Sequence, residues 1–445
     1  MKRSIDEINR RITRGEARVV RADEMTRLVR EEGVAAAARA VDVVTTGTFG
    51  PMCSSGVMMN FGHADPPIRM TRVRINGVEA HAGLAAVDAF LGAAQASAEK
   101  GIHYGGAHVI RDLVKGGSLH LQAESPGTDC YPRRDVDTWI TLADLNHATL
   151  HNPRNAYQRY AAATNTGSRT LYTYMGTLLP DARNITWAGA GELSPLANDP
   201  SYRFIGAGTR IFLAGATGMV TGAGTQHDPV SRMATLGVTG DLFQMTTEFL
   251  RPAVLRGYGC SLYVGIGVPI PIIDEEAALH AGVDNAALQT EVLDFSRPGH
   301  PAIASVNYQE LHSGRIPLGG RSVPCAPLSS PFLSRRVAEN LADWIRSGRF
   351  LLSLPAAPLP ANGRPRRLPL RSSCAADNGP ESVVFFDEEK CVHCGQCLLL
   401  CPAGVFSRAS DGRIRAVPER CTNCGECVEF CPTGAVSPSC GGRQW

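Results

Sequence analysis

The sequence predicts an α/β large N-terminal domain, a linker, and a small α+β C-terminal domain. Three observations predict this. Apolar strand-like runs alternate with helical patterns over residues 1–352. A Pro-rich stretch without periodicity follows over 353–381. Cysteines then recur in one repeated spacing over 382–438.

Residues 4–40 read as two or three amphipathic or Ala-rich helices, with Ser4 and Glu7 spaced as a capping box. Arg72–Asn76 alternates apolar and basic residues, and Asn76-Gly77 is a hairpin turn. Ala82–Ala98 is rich in Ala and Leu and reads as a helix stopped by Gly101. Ile211–Ala214, Leu262–Val268 and Ala302–Val306 read as buried strands. Ser353–Pro380 holds six prolines and several basic residues, as an extended linker would. Val383–Phe386 is expected as the first C-terminal strand, and Arg413–Val417 as the strand between the cysteine runs.

Eight of the fourteen cysteines form two copies of C-x-x-C-x-x-C-x-x-x-C-P, beginning at Cys391 and Cys421. This is the bacterial two-cluster ferredoxin spacing, in which the fourth cysteine of each run serves the other cluster. It assigns Cys391, Cys394, Cys397 and Cys431 to one [4Fe-4S] cluster. Cys421, Cys424, Cys427 and Cys401 take the second. Pro402 and Pro432 end each helical step, and Gly395 and Gly425 supply small turns. Zinc sites use paired cysteines rather than a doubled 2-2-3 spacing, and a disulfide framework needs an oxidising compartment.

Composition excludes several classes. Net charge is +2, which gives no global field for nucleic acid or membrane. The uncharged stretch Gly257–Ile273 is too short and too broken by Pro and Gly to span a bilayer. No signal peptide is visible, and a cytoplasmic location is expected. Lysine occurs only at positions 2, 100, 115 and 390. No Gly-rich loop ends in Lys-Ser/Thr, so a phosphate-binding ATPase loop is absent. Gly189-Ala190-Gly191, Gly206-Ala207-Gly208 and Gly222-Ala223-Gly224 each fall short of G-x-G-x-x-G. They read as tight turns, with close approach to a ligand as the competing reading.

Of the other six cysteines, Cys374 and Cys440 lie in the linker and the tail. Cys260 begins an apolar strand and reads as a small hydrophobe, and Cys325 lies in a Pro-flanked loop. Cys130 sits in Ser125-Pro126-Gly127-Thr128-Asp129-Cys130-Tyr131-Pro132-Arg133-Arg134, a constrained turn with two arginines nearby. Positive charge favours a thiolate, and Asp129 opposes it. Cys53 lies in the tight loop Gly50-Pro51-Met52-Cys53-Ser54-Ser55-Gly56. A buried structural thiol is the alternative for both.

The Phe49–Gly56 block, the Gly127–Arg133 turn and the Gly222–His227 segment together resemble the homocysteine biosynthesis family, the L-aspartate semialdehyde sulfurtransferases. The resemblance covers about residues 1–350, with the ferredoxin fused behind it. It implies homocysteine formation from aspartate semialdehyde and sulfide, for methionine synthesis. It implies Cys130 as the persulfide-bearing nucleophile and Cys53 as a second thiol.

Making a thiol from an aldehyde and sulfide expels water and consumes two electrons, a demand that two one-electron clusters fit. On this reading His227 is a candidate general acid, against an ordinary loop histidine. Arg133 and Arg134 are candidate clamps for the substrate carboxylate, against simple surface solvation. The expected partners are L-aspartate semialdehyde, sulfide or a persulfide donor, and a low-potential electron donor; a homo-oligomer is left open. Two rival readings remain. One is an iron–sulfur oxidoreductase with a flavin or nicotinamide, and the other is a non-catalytic electron-transfer subunit.

Overall fold

A computed structural model describes residues 3–366, 368, 384–422 and 424–438. The chain divides into two units, Met1–Arg366 and Arg367–Trp445.

Three helices open the first unit: Ile5–Thr13, Ala22–Glu32 and Val34–Ala40. The Ser4 hydroxyl accepts from the Glu7 amide at 3.1 Å and caps the first of them. Its Ile8 and Ile12 face inward and are fully buried. The buried Asp42 carboxylate ties this end together, pairing with Arg3 at 2.7 Å and Arg11 at 3.3 Å.

Strands dominate the rest. The largest sheet has nine, running in space from Leu250–Leu255 through Gly259–Gly267, Arg210–Leu213, Ala216–Ala223, Leu236–Asp241, His147–Asn155 and Gly56–Asn60 to Asp88–Gly92. Thr48–Met52 pairs separately with Gly259–Gly267. One six-stranded sheet holds Asp135–Ile140 and Leu119–Glu124 at its edge; a second holds Ile185–Trp187 beside Arg321–Pro327. The unit is thus a mixed α/β structure in which strands dominate, and the strand–helix alternation expected from the sequence gives way to strand-to-strand hairpins. Almost all neighbours are antiparallel, with parallel pairing confined to short strands such as Val19–Arg21 with Val43–Thr45 and Ala162–Thr164 with Gln289–Asp294. Parallel neighbours need a long crossover, whereas Ala214-Gly215, both at positive φ, returns the chain within two residues.

Ala82–Ala98 is a second correction. It contains the strands Asp88–Gly92 and Ala96–Ser97 and no helix. Its small residues serve close packing: a Cβ on Gly106, which opens the helix Gly106–Val114, would fall 1.9 Å from the Gly92 carbonyl. Ala89 and Leu91 alternate inward with strand period. The hairpin at Asn76-Gly77 is present, with Val73 opposite Ala80.

The long helix Pro331–Arg346 lies on the large sheet, burying Val337, Leu341 and Ile345. Residues 353–359, expected to begin the linker, instead complete the first unit. The Ser353 hydroxyl accepts from the Arg210 amide at 2.8 Å, Ala357–Pro358 pairs with Gly206–Ala207, and Leu359 is buried. Prolines are tolerated there because the strand is short and lies at an edge. Most of the remaining linker, with Cys374, lies outside the described residues, as does Cys440.

The second unit has two small hairpin-like pairs, Val384–Phe386 with Val436–Pro438 and Phe406–Arg408 with Ile414–Ala416. Short helices Gln396–Leu400 and Glu426–Glu429 each carry the third cysteine of a triplet, Cys397 and Cys427. Gly395 and Gly425 stand at φ 87° and 77° just before them, a conformation that L side chains resist.

Candidate functional site

A cavity of about 220 Å³ opens in the first unit where the ends of many strands converge. Cys53 reaches it from the turn after Thr48–Met52. Arg154 and Asn155 enter from the end of His147–Asn155, where a register irregularity between Asn152 and Asn155 breaks the strict alternation of sides. Tyr157 and Tyr160 follow them; Tyr174 comes from a hairpin turn, Tyr258 from the turn before Gly259–Gly267, and Ser329 from the segment before the long helix. The volume lies below the roughly 300 Å³ where drug-sized sites begin, so the cavity suits a small metabolite rather than a dinucleotide.

The cavity wall is chemically distinctive. Its thiol, Cys53, lies 3.8 Å from the Tyr258 hydroxyl. Burial pushes the Tyr258 phenol up to about 12, with the neighbouring Cys53 adding to the shift. Burial likewise raises Tyr157 to about 12 and lifts Tyr160 well above the ordinary range, while nearby Arg154 pulls both down. The phenols are therefore neutral donors throughout the physiological range. Arg154 is the single charged side chain among the lining residues, and no carboxylate faces it.

The residues expected from the sequence are dispersed. Cys53 is in the cavity wall. Cys130 is exposed, in a turn closed by the Thr128 and Tyr131 backbones, and does not line the cavity. Tyr131 of that turn stacks on His63, which follows the far end of Gly56–Asn60, while Cys53 precedes its near end. Arg133 donates to the Pro66 and Asp65 carbonyls, and Arg134 is exposed and lies against Gly127. Neither lines this cavity. His227 is buried, with Nδ1 facing the Thr235 backbone at 3.1 Å and Nε2 facing the Pro360 carbonyl at 3.0 Å. Its ring joins two segments, and its neighbour Gln226 lines the cavity.

Sequence reasoning missed Arg154, Asn155 and the four tyrosines. Arg154 was one of some forty arginines, and no spacing links Tyr157 to Tyr258. The Gly222–Gly224 loop did carry a signal, since it leads to Gln226. Gly189 sits at φ 114° and its amide donates to Ser329 at 2.9 Å.

In the second unit, Cys391, Cys394, Cys397 and Cys431 line one small hollow, with Phe386, Ile414 and Pro432 around them. Cys427 lies within electrostatic reach of Cys401, Cys424 and Cys421. Among the described residues no three such side chains close tightly enough for a single metal ion; two groups of four thiols suit a larger cubane. Amides point at the sulfurs, as His393 N does at Cys391 (3.4 Å) and Val405 N at Cys401 (3.3 Å). Burial would raise the Cys431 thiol, but amides of Thr433, Val436 and Ala435 outweigh it and hold the thiol below its ordinary value. Donors aimed at sulfur are one of the features that set the potential of an iron–sulfur cluster.

Comparison with known proteins decides the family. The family described as "Homocysteine biosynthesis enzyme, sulfur-incorporation" matches residues 17–352. The chain belongs to this homocysteine biosynthesis family. A "4Fe-4S dicluster domain" matches residues 383–432. The chain is 53% identical over 365 residues to the L-aspartate semialdehyde sulfurtransferase of Methanosarcina acetivorans, covering 82% of this chain and 73% of that one. It is 49% identical over 387 residues to the protein of that name from Methanocaldococcus jannaschii, covering 83% and 75%. A protein of Methanothermobacter thermautotrophicus named only as uncharacterized is 28% identical over 91% of this chain and 84% of its own. No solved structure matches. The homocysteine biosynthesis unit thus contains the whole cavity described above. Among the described residues no helix is long and apolar enough to cross a membrane.

Proposed function

We propose that this protein transfers sulfur reductively to L-aspartate semialdehyde, giving L-homocysteine. The observation that carries the reading is the cavity of the homocysteine biosynthesis unit, where a thiol, a phenol and a guanidinium share one wall. The names of the two relatives at about half identity supply the substrate.

From sulfide, the aldehyde and one hydrogen sulfide take up two electrons and two protons, giving one thiol and one water. From a cysteine persulfide the demand is four electrons and four protons, because the outer sulfur is itself reduced as the S–S bond breaks. The eight C-terminal cysteines would hold two [4Fe-4S] clusters, which would supply electrons singly.

Cys130, on its exposed turn, takes up sulfur as a persulfide from a persulfide donor, thiol for thiol. Transfer to Cys53 is again thiol for thiol and moves no net electrons; it requires the exposed turn of the same chain or of a neighbouring copy to reach the cavity. The Cys53-bound sulfur then attacks the carbonyl carbon. Tyr258, beside Cys53 and neutral, gives its proton to the carbonyl oxygen as the persulfide loses its own. A second proton lets that oxygen leave as water, two electrons and a proton reduce the carbon, and two further electrons and two protons cleave the S–S bond, releasing homocysteine and the Cys53 thiol.

The test is an anaerobic assay of the full chain with aspartate semialdehyde, a persulfide donor and a low-potential reductant, run beside the same assay with sulfide in place of the persulfide donor. Reductant-dependent homocysteine is the expected product; its absence refutes the reading.

A further inference from the structure

The cavity contains a cation without a counter-ion. Arg154 makes no ion pair among the described residues, and its Nε is buried without a hydrogen-bond partner. Beside it, Asn155 is 3% exposed. Its Oδ1 accepts from the Ala156 amide at 2.8 Å, which fixes the orientation of the side chain. Its Nδ2 is thereby committed as a donor and is also buried without a partner. The wall carries no Asp or Glu, and the burial-raised phenols of Tyr157, Tyr160 and Tyr258 stay uncharged. Arg154 is half-buried, and a buried Nε–H left without a partner is costly; it persists here where a ligand can pair it.

We propose that Arg154 and Asn155 bind the α-carboxylate of a short α-amino acid in this cavity, leaving its far end beside Cys53 and Tyr258.

The chemistry selects a carboxylate. The Nε edge of a guanidinium offers two parallel donors that match its two oxygens, and Asn155 Nδ2 adds a third. A single cation, with no lysine and no second arginine in the wall, falls short of what a phosphate dianion attracts. The volume of about 220 Å³ admits a four-carbon amino acid. The backbone explains how consecutive residues serve one ligand. In a regular strand Arg154 and Asn155 would face opposite sides. The register irregularity at Asn152/Asn155, with Ala156 following at φ 50°, brings both to the cavity.

The identity of the amino acid rests on the function proposed above, but the binding itself can be measured apart from turnover. The probe is L-homoserine, which keeps the carboxylate and carbon chain of aspartate semialdehyde and ends in an unreactive alcohol. Anaerobic calorimetry on the full chain is expected to show homoserine binding and none with 3-aminopropan-1-ol, which lacks the carboxylate. Arg154→Gln is expected to weaken homoserine about 10- to 100-fold, Arg154→Lys less, and Cys53→Ser about twofold at most. In turnover Arg154→Gln is expected to raise KM far more than it lowers kcat. Arg154→Lys keeps the charge and guards against a variant that fails to fold. The proposal is overturned if the unaltered chain fails to bind homoserine, if aminopropanol binds equally well, or if Arg154→Gln binds as the parent does. Homoserine binding lost in Arg154→Gln, with no homocysteine formed by the parent, would leave this site standing and remove the proposed reaction.

Discussion

The Cys53 sulfur and the Tyr258 hydroxyl stand 3.8 Å apart at the wall of the cavity. Both come from turns, on the neighbouring strands Thr48–Met52 and Gly259–Gly267, so sheet pairing fixes their separation. The pair sets a thiol beside a neutral phenol, which suits the proposed replacement of a carbonyl oxygen by sulfur.

The acid role of Tyr258 gives the first prediction. Tyr258→Phe should lower kcat about 10²- to 10⁴-fold while KM stays within a few-fold, since the carboxylate contact is elsewhere. With the phenol held near 12, its ionisation should impose no alkaline loss of rate in the ordinary assay range. Anaerobic steady-state kinetics across pH checks both; an unchanged kcat removes Tyr258 from the chemistry.

Cys130 should matter for turnover and not for folding. Its side chain is exposed, and surface substitutions usually shift stability by no more than about 0.5 kcal/mol. Cys130→Ser is expected to abolish homocysteine formation from a persulfide donor, with an unchanged thermal midpoint and full iron content. Full activity in this variant would falsify its role in sulfur uptake.

Cys431 shares a hollow with the three cysteines of the other run. Cys431→Ser should therefore damage the cluster of Cys391, Cys394 and Cys397, and spare its own triplet. Iron should fall from about eight to about four atoms per chain, the content of one cubane lost. Loss of the Cys421, Cys424 and Cys427 cluster instead, detected by pairing this variant with Cys394→Ser, would reverse the assignment.

The parts legible in the sequence are those whose chemistry is local. Asn76-Gly77 announces its hairpin because two adjacent residues must take positive φ, and Ser4 announces its helix through one side-chain bond. The cysteine runs carry their meaning in their spacing. Ala82–Ala98 misled because its small residues answer to a neighbour, the helix at Gly106, and not to a helix of their own. The cavity was illegible for the same reason on a larger scale. Its wall gathers Cys53, Arg154, Tyr174, Gln226, Tyr258 and Ser329 from segments far apart in the chain. Cys130 and His227 drew notice through their local settings, whereas the groups facing the cavity are set by sheet register.

Tyr308 supports that wall from behind. It is buried, its hydroxyl donates to the Ala188 carbonyl at 3.2 Å, and it accepts from the Tyr160 amide at 3.0 Å. It thereby joins two segments that line the cavity. Burial raises its phenol to about 12, with the Tyr160 amide and Arg159 partly offsetting the rise. The folded value exceeds the unfolded one, so the folded state holds this proton more tightly. Its stabilising contribution is complete below about pH 10 and is lost as pH rises toward about 12. A rise of this size corresponds to at most about 3 kcal/mol. Tyr308→Phe should remove this part of the alkaline decline. At neutral pH it should cost about 1–3 kcal/mol, because a buried carbonyl and amide lose their shared partner. Denaturant midpoints of parent and variant at about pH 8 and about pH 11 check both signs. The gap between them should narrow at the higher pH, and a gap that stays constant refutes the linkage.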